Sequence, residues 1–303
     1  MGSTRVFRNA LKSRAALTEE LYRAAADPGE WAGFMRHLVK VLDSRSARLL
    51  VLDPTATKVS SSLKYNIDDG YHQQYVDHYV NACPWRPELR KLPPGKLYST
   101  YLDFSCKQPQ YHKTEFYNDW ARRQQIEHGM CGTVYADDLQ VIQFLVQRTP
   151  EPGHYTIEEK GFINQLVPHM RRAVQLNQRY AMLEGRNQAI GRAAGYSSLP
   201  LVLLDARGKI VFTSQTAERT IADEPALSML KDRVEATGSG AARRLENLVQ
   251  ESLRSALGAW DSPGGVLQIR RSNKEPLSLL VTPVIGEVSH LVLAPRQAFA
   301  AIF

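Results

Sequence analysis

Apolar positions along the chain change their spacing several times, and the changes mark its elements. Between Leu17 and Asp43 they recur at helical intervals, first Leu21, Tyr22 and Ala25, then Trp31, Phe34, Leu38, Val41 and Leu42. Asp27-Pro28-Gly29 separates the groups, with Asp27 suited to cap and Pro28 to open a helix, so two helices are predicted. Ala47–Asp53 is a short apolar run that turns at Asp53-Pro54 and returns as Lys58–Tyr65, the pattern of an antiparallel hairpin. Helical spacing resumes over Asp68–Val80, prolines at 84, 87, 93 and 94 force irregular backbone, and a helix is predicted from Pro109 to about Gln125. Gly129–Tyr135 and Gln140–Arg148 read as strands around Asp137-Asp138. This order suits an antiparallel sheet with helices on one side.

Thr156–Ala194 is the most regular stretch. Thr156 and Glu159 have capping-box spacing, and Phe162, Leu166, His169, Ala173, Leu176, Tyr180, Leu183, Asn187, Ile190 and Ala194 step by four and three, a heptad seam that calls for a partner helix. A second stripe, Ile163, Val167, Met170 and Val174, can pack on the preceding sheet, and Pro168 predicts a bend. Leu176, Tyr180, Leu183, Asn187 and Ile190 are the expected dimer contacts, with Asn187 the kind of polar core residue that fixes register.

After a break at Gly195–Pro200, Leu199–Asp205 and Lys209–Thr213 form a second hairpin around Ala206-Arg207-Gly208. Helices near Gln215–Ala222 and Ala241–Leu257 then precede strands at Gly265–Arg271, Pro276–Val284 and Val288–Ala294. The expected fold class is α+β, two antiparallel-sheet domains joined by a long helix: residues 1–155, then 156–195, then 196–303. The last residues, Ala298 to Phe303, are apolar without a polar cap, which leads us to expect a truncated chain or an absent covering element.

At 303 residues the chain is long enough for two cores. It has no apolar run of membrane-spanning length and no signal peptide, so no membrane association and a cytoplasmic location are expected. Cys83, Cys106 and Cys131 are odd in number and unrelated in spacing, which fits reduced thiols and neither a disulfide framework nor a zinc site. The net charge is +7, but the basic residues fall in small groups (Arg86–Lys91, Arg122–Arg123, Arg171–Arg172, Arg243–Arg244, Arg270–Arg271), the pattern of a solvated surface.

No nucleophile elbow, phosphate loop, HExxH or dinucleotide motif is present, and no catalytic residue, metal site or cofactor is expected. Cys83-Pro84 could in principle supply a thiolate to haem, although a loop thiol explains it as well. Aromatic residues crowd the first domain between its strand pairs. Tyr65, Tyr75, Tyr79, Trp85, Phe116 and Trp120 are the candidates for lining a ligand chamber, since a tyrosine hydroxyl must be paired when buried; core packing is the competing explanation.

The segments LYRAAADPGEWAGFMRHL, TEFYNDWARRQQIEHGMCGTV and FINQLVPHMRRAVQL together resemble the amino-terminal region of one-component bacterial regulators that end in a LuxR-type helix-turn-helix. LPLVLLDARGKIVFTSQTAE resembles the opening of a PAS domain, and PLSLLVTPV and the final apolar run continue the likeness. The resemblance implies a GAF-like domain, a dimerising helix and a PAS-like domain. Together they would sense an unknown small molecule as a homodimer and reach DNA only through a helix-turn-helix that this chain lacks. Asn81-Ala82-Cys83-Pro84-Trp85 departs from the Asn-Pro-Trp of similar proteins. The alternative is a dimerisation and protein-interaction scaffold without a small-molecule ligand.

Overall fold

The computed structural model describes residues 2–194, 199–256, 263–271, 274–285 and 298–303. Its chain divides into two units, Met1–Gln178 and Arg179–Phe303.

In the first unit Asp27 accepts the Gly29 N–H at 2.8 Å, a cap that separates α1 (Gly2–Ala26) from a 3-10 turn and α2 (Trp31–Val41). The predicted hairpin is β1 (Ser46–Leu52) with β2 (Val59–Tyr65), closed by the Asp53 carboxylate, which accepts the Thr57 N–H at 2.6 Å. Next come α3 (Asp69–Gln74), which runs through a π-helical turn (Tyr75–Tyr79) into α4 (Val80–Ala82), then α5 (Arg86–Leu89) and the short β3 (Tyr98–Ser99).

The continuous helix expected from Pro109 to Gln125 is instead α6 (Gln108–Tyr111), a π-helical segment (Phe116–Ala121) and a 3-10 turn (Arg122–Gln124). Side chains cause the interruption. Thr114 Oγ1 donates to the Tyr111 carbonyl at 2.7 Å and accepts the Tyr117 N–H, and the Asn118 amide donates to the His112 and Thr114 carbonyls, side-chain bonds that compete with the helical backbone at the break. Strands β4 (His128–Ala136) and β5 (Val141–Arg148) complete an antiparallel sheet of order β2-β1-β5-β4-β3.

Helix α7 (Ile157–Ala194) starts with the predicted capping box: Glu159 N donates to Thr156 Oγ1 and Thr156 N to Glu159 Oε2. It continues as helix through Pro168. Ile163, Val167, Met170 and Val174 are buried, and so are Leu166 and Ala173 from the other stripe. The first half of the seam is therefore used inside the first unit, where Asn177 accepts from Trp31 Nε1 at 2.8 Å and donates to the carbonyls of Ala24 and Ala25. Beyond it the seam is open: Leu176, Tyr180 and Leu183 are 40%, 64% and 58% exposed. Asn187 is exposed as well, and the Ile190 side chain lies outside the described residues.

The second unit opens with β6 (Val202–Leu204) and β7 (Ile210–Thr213), followed by α8 (Gln215–Ala222), capped by Ser214. A small hairpin, β8 (Leu227–Leu230) with β9 (Arg233–Ala236), turns on Lys231 and Asp232, both at positive φ. The turn geometry is usually marked by Asn-Gly, so these residues give no signal in the sequence. Then come α9 (Ser239–Ala256), β10 (Gly265–Arg271), β11 (Lys274–Ile285) and β12 (Ala298–Ile302), giving an antiparallel sheet of order β10-β11-β12-β6-β7.

The final apolar run is β12, paired on both sides: Ile302 opposes Val281 of β11 and Val202 of β6. Phe299, Ala300, Ala301 and Ile302 are buried, so the run is covered within this unit and does not wait for a missing element. The strand expected at Val288–Ala294 lies outside the described residues. Among the described residues no helix is long and apolar enough to cross a membrane.

Candidate functional site

Every residue of β1 is buried, because both faces of this strand are covered. Alternation divides the strand, placing Arg48, Leu50 and Leu52 on one face, and Leu50 and Leu52 pack there with Tyr75, Trp85, Phe116 and Trp120. Cross-strand pairing extends that face across the sheet. Lys64, Arg48, Leu145, Cys131 and Tyr98 form one row; Ser62, Leu50, Gln143 and Thr133 form the next.

Over this floor the interrupted helices supply an aromatic wall. Tyr75 and Tyr79 lie on the first π-helical turn, Phe116 and Trp120 on the second, and Tyr75–Trp120 and Phe116–Trp120 have ring centroids 5.3 and 5.0 Å apart. Rings four residues apart lie on one face of their helical segment. Trp85 joins through Phe116 at 6.3 Å and Tyr111 at 4.5 Å. Tyr65 does not join. It opposes Ala47, one position out of phase with Arg48, and so faces the other side of the sheet.

The polar ends of the wall are satisfied by protein groups. Trp120 Nε1 donates to the Tyr71 carbonyl (2.8 Å), Trp85 Nε1 to the Cys106 carbonyl (3.0 Å) and Tyr111 Oη to the Ile126 carbonyl (3.1 Å). The Tyr75 hydroxyl accepts from Arg86 Nη2 at 2.8 Å, while Arg86 Nη1 donates to Gln143 Oε1 and the Ala56 carbonyl, both at 3.2 Å. Arg86 is 2% exposed, which corrects the expectation that its basic group is a solvated surface. Nearby Arg90 donates to the Ala56 carbonyl and to Asn81.

Arg48 is the exception. It is fully buried, and its Nε, Nη1 and Nη2 have no hydrogen-bond partner among the described residues. Its Cζ lies 4.0 Å over the Tyr75 ring and 5.0 Å from that of Trp120. Burial holds its guanidinium below the usual arginine range, and Arg86 acts in the same direction. Removing an ion from water costs several kcal/mol after relaxation, whereas each cation–π contact returns about 0.5–2 kcal/mol. The rings alone do not offset the burial of this charge.

Arg148 shows a completed version of the arrangement. It is buried too, with its Cζ 4.0 Å over the Tyr155 ring, but the Glu159 carboxylate meets it at both ends, Nη2–Oε1 at 2.6 Å and Nη1–Oε2 at 3.2 Å. No carboxylate among the described residues makes such a pair with Arg48 or Arg86. Lys64, beside Arg48 in the floor, is already engaged by Asp69 and the Ile67 carbonyl.

His72 sits at this margin with Nε2 2.6 Å from Ser62 Oγ and Nδ1 unpartnered. Burial first, then the charges of Arg48 and Lys64, push its pKa down to about 4, so the imidazole is neutral near pH 7. Burial pushes the Cys83 and Cys131 thiols up, which suits neither for a thiolate ligand at Cys83-Pro84. All three cysteines are free, and no three His, Cys, Asp or Glu side chains converge on a metal position among the described residues. A separate groove of about 650 Å³ between α1 and α7 is lined by Arg14, Ala15, Thr18, Tyr22, Gln165 and His169, with Glu19 at its edge.

Arg48, Arg86, Gln143, His72 and Tyr111 were not singled out from sequence. Arg48 carried a signal, since it is the one charge inside the apolar run ARLLVL. Gln143 and Arg86 are recognisable only once strand register and the loop fold place them.

Fold and site together define an α+β chain of two antiparallel-sheet units, the first holding an aromatic cluster around a buried arginine that has no hydrogen-bond partner among the described residues. No known protein family and no curated protein matches the chain. Among solved structures it is similar to the ligand-binding domain of VqsR from Pseudomonas aeruginosa, at 15% identity over 56% of this chain and 98% of that one, with a TM-score of 0.42. It is similar also to the LuxR-family factor CepR2 from Burkholderia cenocepacia, described as N-acylhomoserine-lactone dependent, at 11% identity over 54% and 93% of the respective chains, TM-score 0.40. The bacteriophytochrome RpBphP3 from R. palustris is similar at 11% identity over 98% of this chain and 62% of that one, TM-score 0.40.

Proposed function

We propose that this chain is the sensory and dimerising region of a LuxR-type transcription regulator: the first unit is a GAF-like domain that takes up a small molecule, and the second a PAS-like domain. The observation that carries this reading is Arg48, a buried cation without a counter-group inside an aromatic chamber. A stability-optimised core would have replaced or paired it, whereas binding sites retain such uncompensated groups. The quoted sequence segments support the assignment to regulators, and the output is control of a helix-turn-helix that the resemblance places after the second unit.

Signal passage runs along α7. Its opening turn is clamped to the end of β5 by the Arg148–Glu159 pair, and its later turns carry the open seam Leu176, Tyr180 and Leu183. A second copy of the chain covers that seam in this reading, with Asn187 and Ile190 continuing the contact. Ligand binding acts by favouring one of two states of the helix pair.

Thermal-shift screening of a metabolite library tests the sensory claim. A compound at 100 times its Kd adds about 2.7 kcal/mol of stability and raises Tm visibly. A dimer that persists by native mass spectrometry while no compound moves Tm favours the scaffold alternative. Leu183→Glu is expected to give monomers without lowering Tm of the first unit; unchanged dimers would remove the seam from the account.

A further inference from the structure

We infer that the ligand of the first unit is an amphipathic carboxylate, whose oxyanion pairs with Arg48 as Glu159 pairs with Arg148. The inference rests on the sensory reading above and adds the ligand's charge and shape.

Two arginines of one sheet are buried with a tyrosine ring at the same 4.0 Å beneath each guanidinium. One has a planar carboxylate meeting two of its nitrogens, and the other has none. With a flat face of Arg48 against Tyr75 and its Cζ 5.0 Å from Trp120, the donors left free are the N–H groups of its edge. An oxyanion is therefore met in the guanidinium plane, the geometry in which a carboxylate forms two parallel hydrogen bonds. Gln143 and the Tyr75 hydroxyl are already committed to Arg86, so neither competes for the anion. Arg86 keeps its Nε free, and it adds a second positive charge to the same chamber.

The residues packed around Arg48 set the ligand's body. Phe116, Trp120, Leu50 and Leu145 surround it with apolar groups, while the nitrogens of Trp85 and Trp120 are spent on backbone carbonyls. A highly hydroxylated acid would leave its own polar groups unpaired there, whereas an aryl or alkyl chain would not. His72, held neutral beside the floor, adds no charge that would compete with Arg48.

The test uses phenylacetate, indole-3-acetate and octanoate as probes, each beside its uncharged amide, with calorimetry and thermal shift on the full chain at pH 7.5. At least one acid is expected to bind with at least about tenfold preference over its amide, the scale of a charge-assisted pair. Arg48→Met is expected to abolish that preference while the amide's weak binding persists. Acid and amide binding equally well would overturn the carboxylate inference and leave the sensory reading standing. No binding of any probe up to about 10 mM, where even millimolar affinities register, would overturn the carboxylate inference, while the library screen decides the sensory reading.

A second readout needs no ligand. Ligand-free Arg48→Met is expected to melt above the parent by about 3 °C, because the variant removes an uncompensated cation and keeps an unbranched apolar side chain. Melting below the parent would make Arg48 a structural pillar of the aromatic wall and overturn the inference independently.

Discussion

Counted in its own chain order, each five-stranded sheet of this protein runs 2-1-5-4-3, yet the two units fill their interiors in opposite ways. In the second, β6 and its neighbours face α9 with Val202, Leu204, Leu245, Leu248, Val281 and Ile302, a wholly aliphatic core. Its buried acid, Glu224, is paired with Arg271 at 2.8 Å. In the first, the corresponding inner strand, β1, presents Arg48, Leu50 and Leu52 to a wall of rings, and the charge has no hydrogen-bond partner among the described residues. Strand order therefore does not dictate interior chemistry. A shared topology supports an aliphatic core, whose burial stabilises, and an aromatic one, whose unpaired cation costs stability.

The comparison can be broken by exchanging the chemistry. Leu204→Arg places a cation on an inner strand of the second unit, inside an aliphatic cluster, and should cost upwards of about 4 kcal/mol, unfolding that unit in urea well before the first. A variant with parental urea midpoints would show that the aliphatic core tolerates charge as readily as the chamber does. Next in size, Trp120→Ala removes a fully buried ring and one face of the Arg48 stack; a loss of about 3–5 kcal/mol is expected from denaturant titration.

Within the first unit the two stacked arginines should respond with opposite signs. Arg148→Met strands Glu159, 30% exposed at its side chain, and should cost about 2 kcal/mol after allowance for solvent screening. Arg48→Met should gain about 1–2 kcal/mol by equilibrium unfolding, and equal signs would dissolve the distinction between a completed and an open pair. The smallest expected effect is a pH slope from His72. Its folded pKa of about 4 lies below the model-compound value of 6.5, so between these values the unfolded chain binds more protons. Stability should be fully present above about pH 6.5 and decline as pH falls toward 4, with His72→Gln flattening the slope. A slope unchanged in His72→Gln would place the proton uptake elsewhere.

The layout of both units was legible because apolar periodicity is a local signal. Both opening hairpins, the pair β4 and β5, α8, and the capping box of α7 fall where the spacing puts them. What failed was set by less local causes. Thr114 and Asn118 divert backbone carbonyls and divide one expected helix into pieces. Lys231 and Asp232 take positive φ without glycine or asparagine to announce a turn. An apolar terminus that looked uncovered is strand β12, which owes its burial to partners about 20 and 100 residues away in sequence.

The site was legible in part. Tyr75, Tyr79, Trp85, Phe116 and Trp120 were nominated as a group, and the two π-helical turns bring them together; Tyr65 was nominated with them, but strand alternation sends it to the other face. Arg48 was passed over although it interrupts ARLLVL, because a lone charge in a strand shows neither its face nor its partner until register is known. Arg86 was hidden in a basic group that composition assigns to the surface.

The central claim is that the first unit buries a charged guanidinium that stacks on the rings of Tyr75 and Trp120 and has no hydrogen-bond partner among the described residues. Nitrogen-15 NMR of the arginine Nε–H groups measures this directly in the ligand-free chain. The account predicts one Nε–H resonance, absent in Arg48→Met, that is displaced by the ring currents of Tyr75 and Trp120 and exchanges slowly with solvent. An Arg48 resonance at the solvent-exposed position, exchanging as fast as surface arginines, would contradict it.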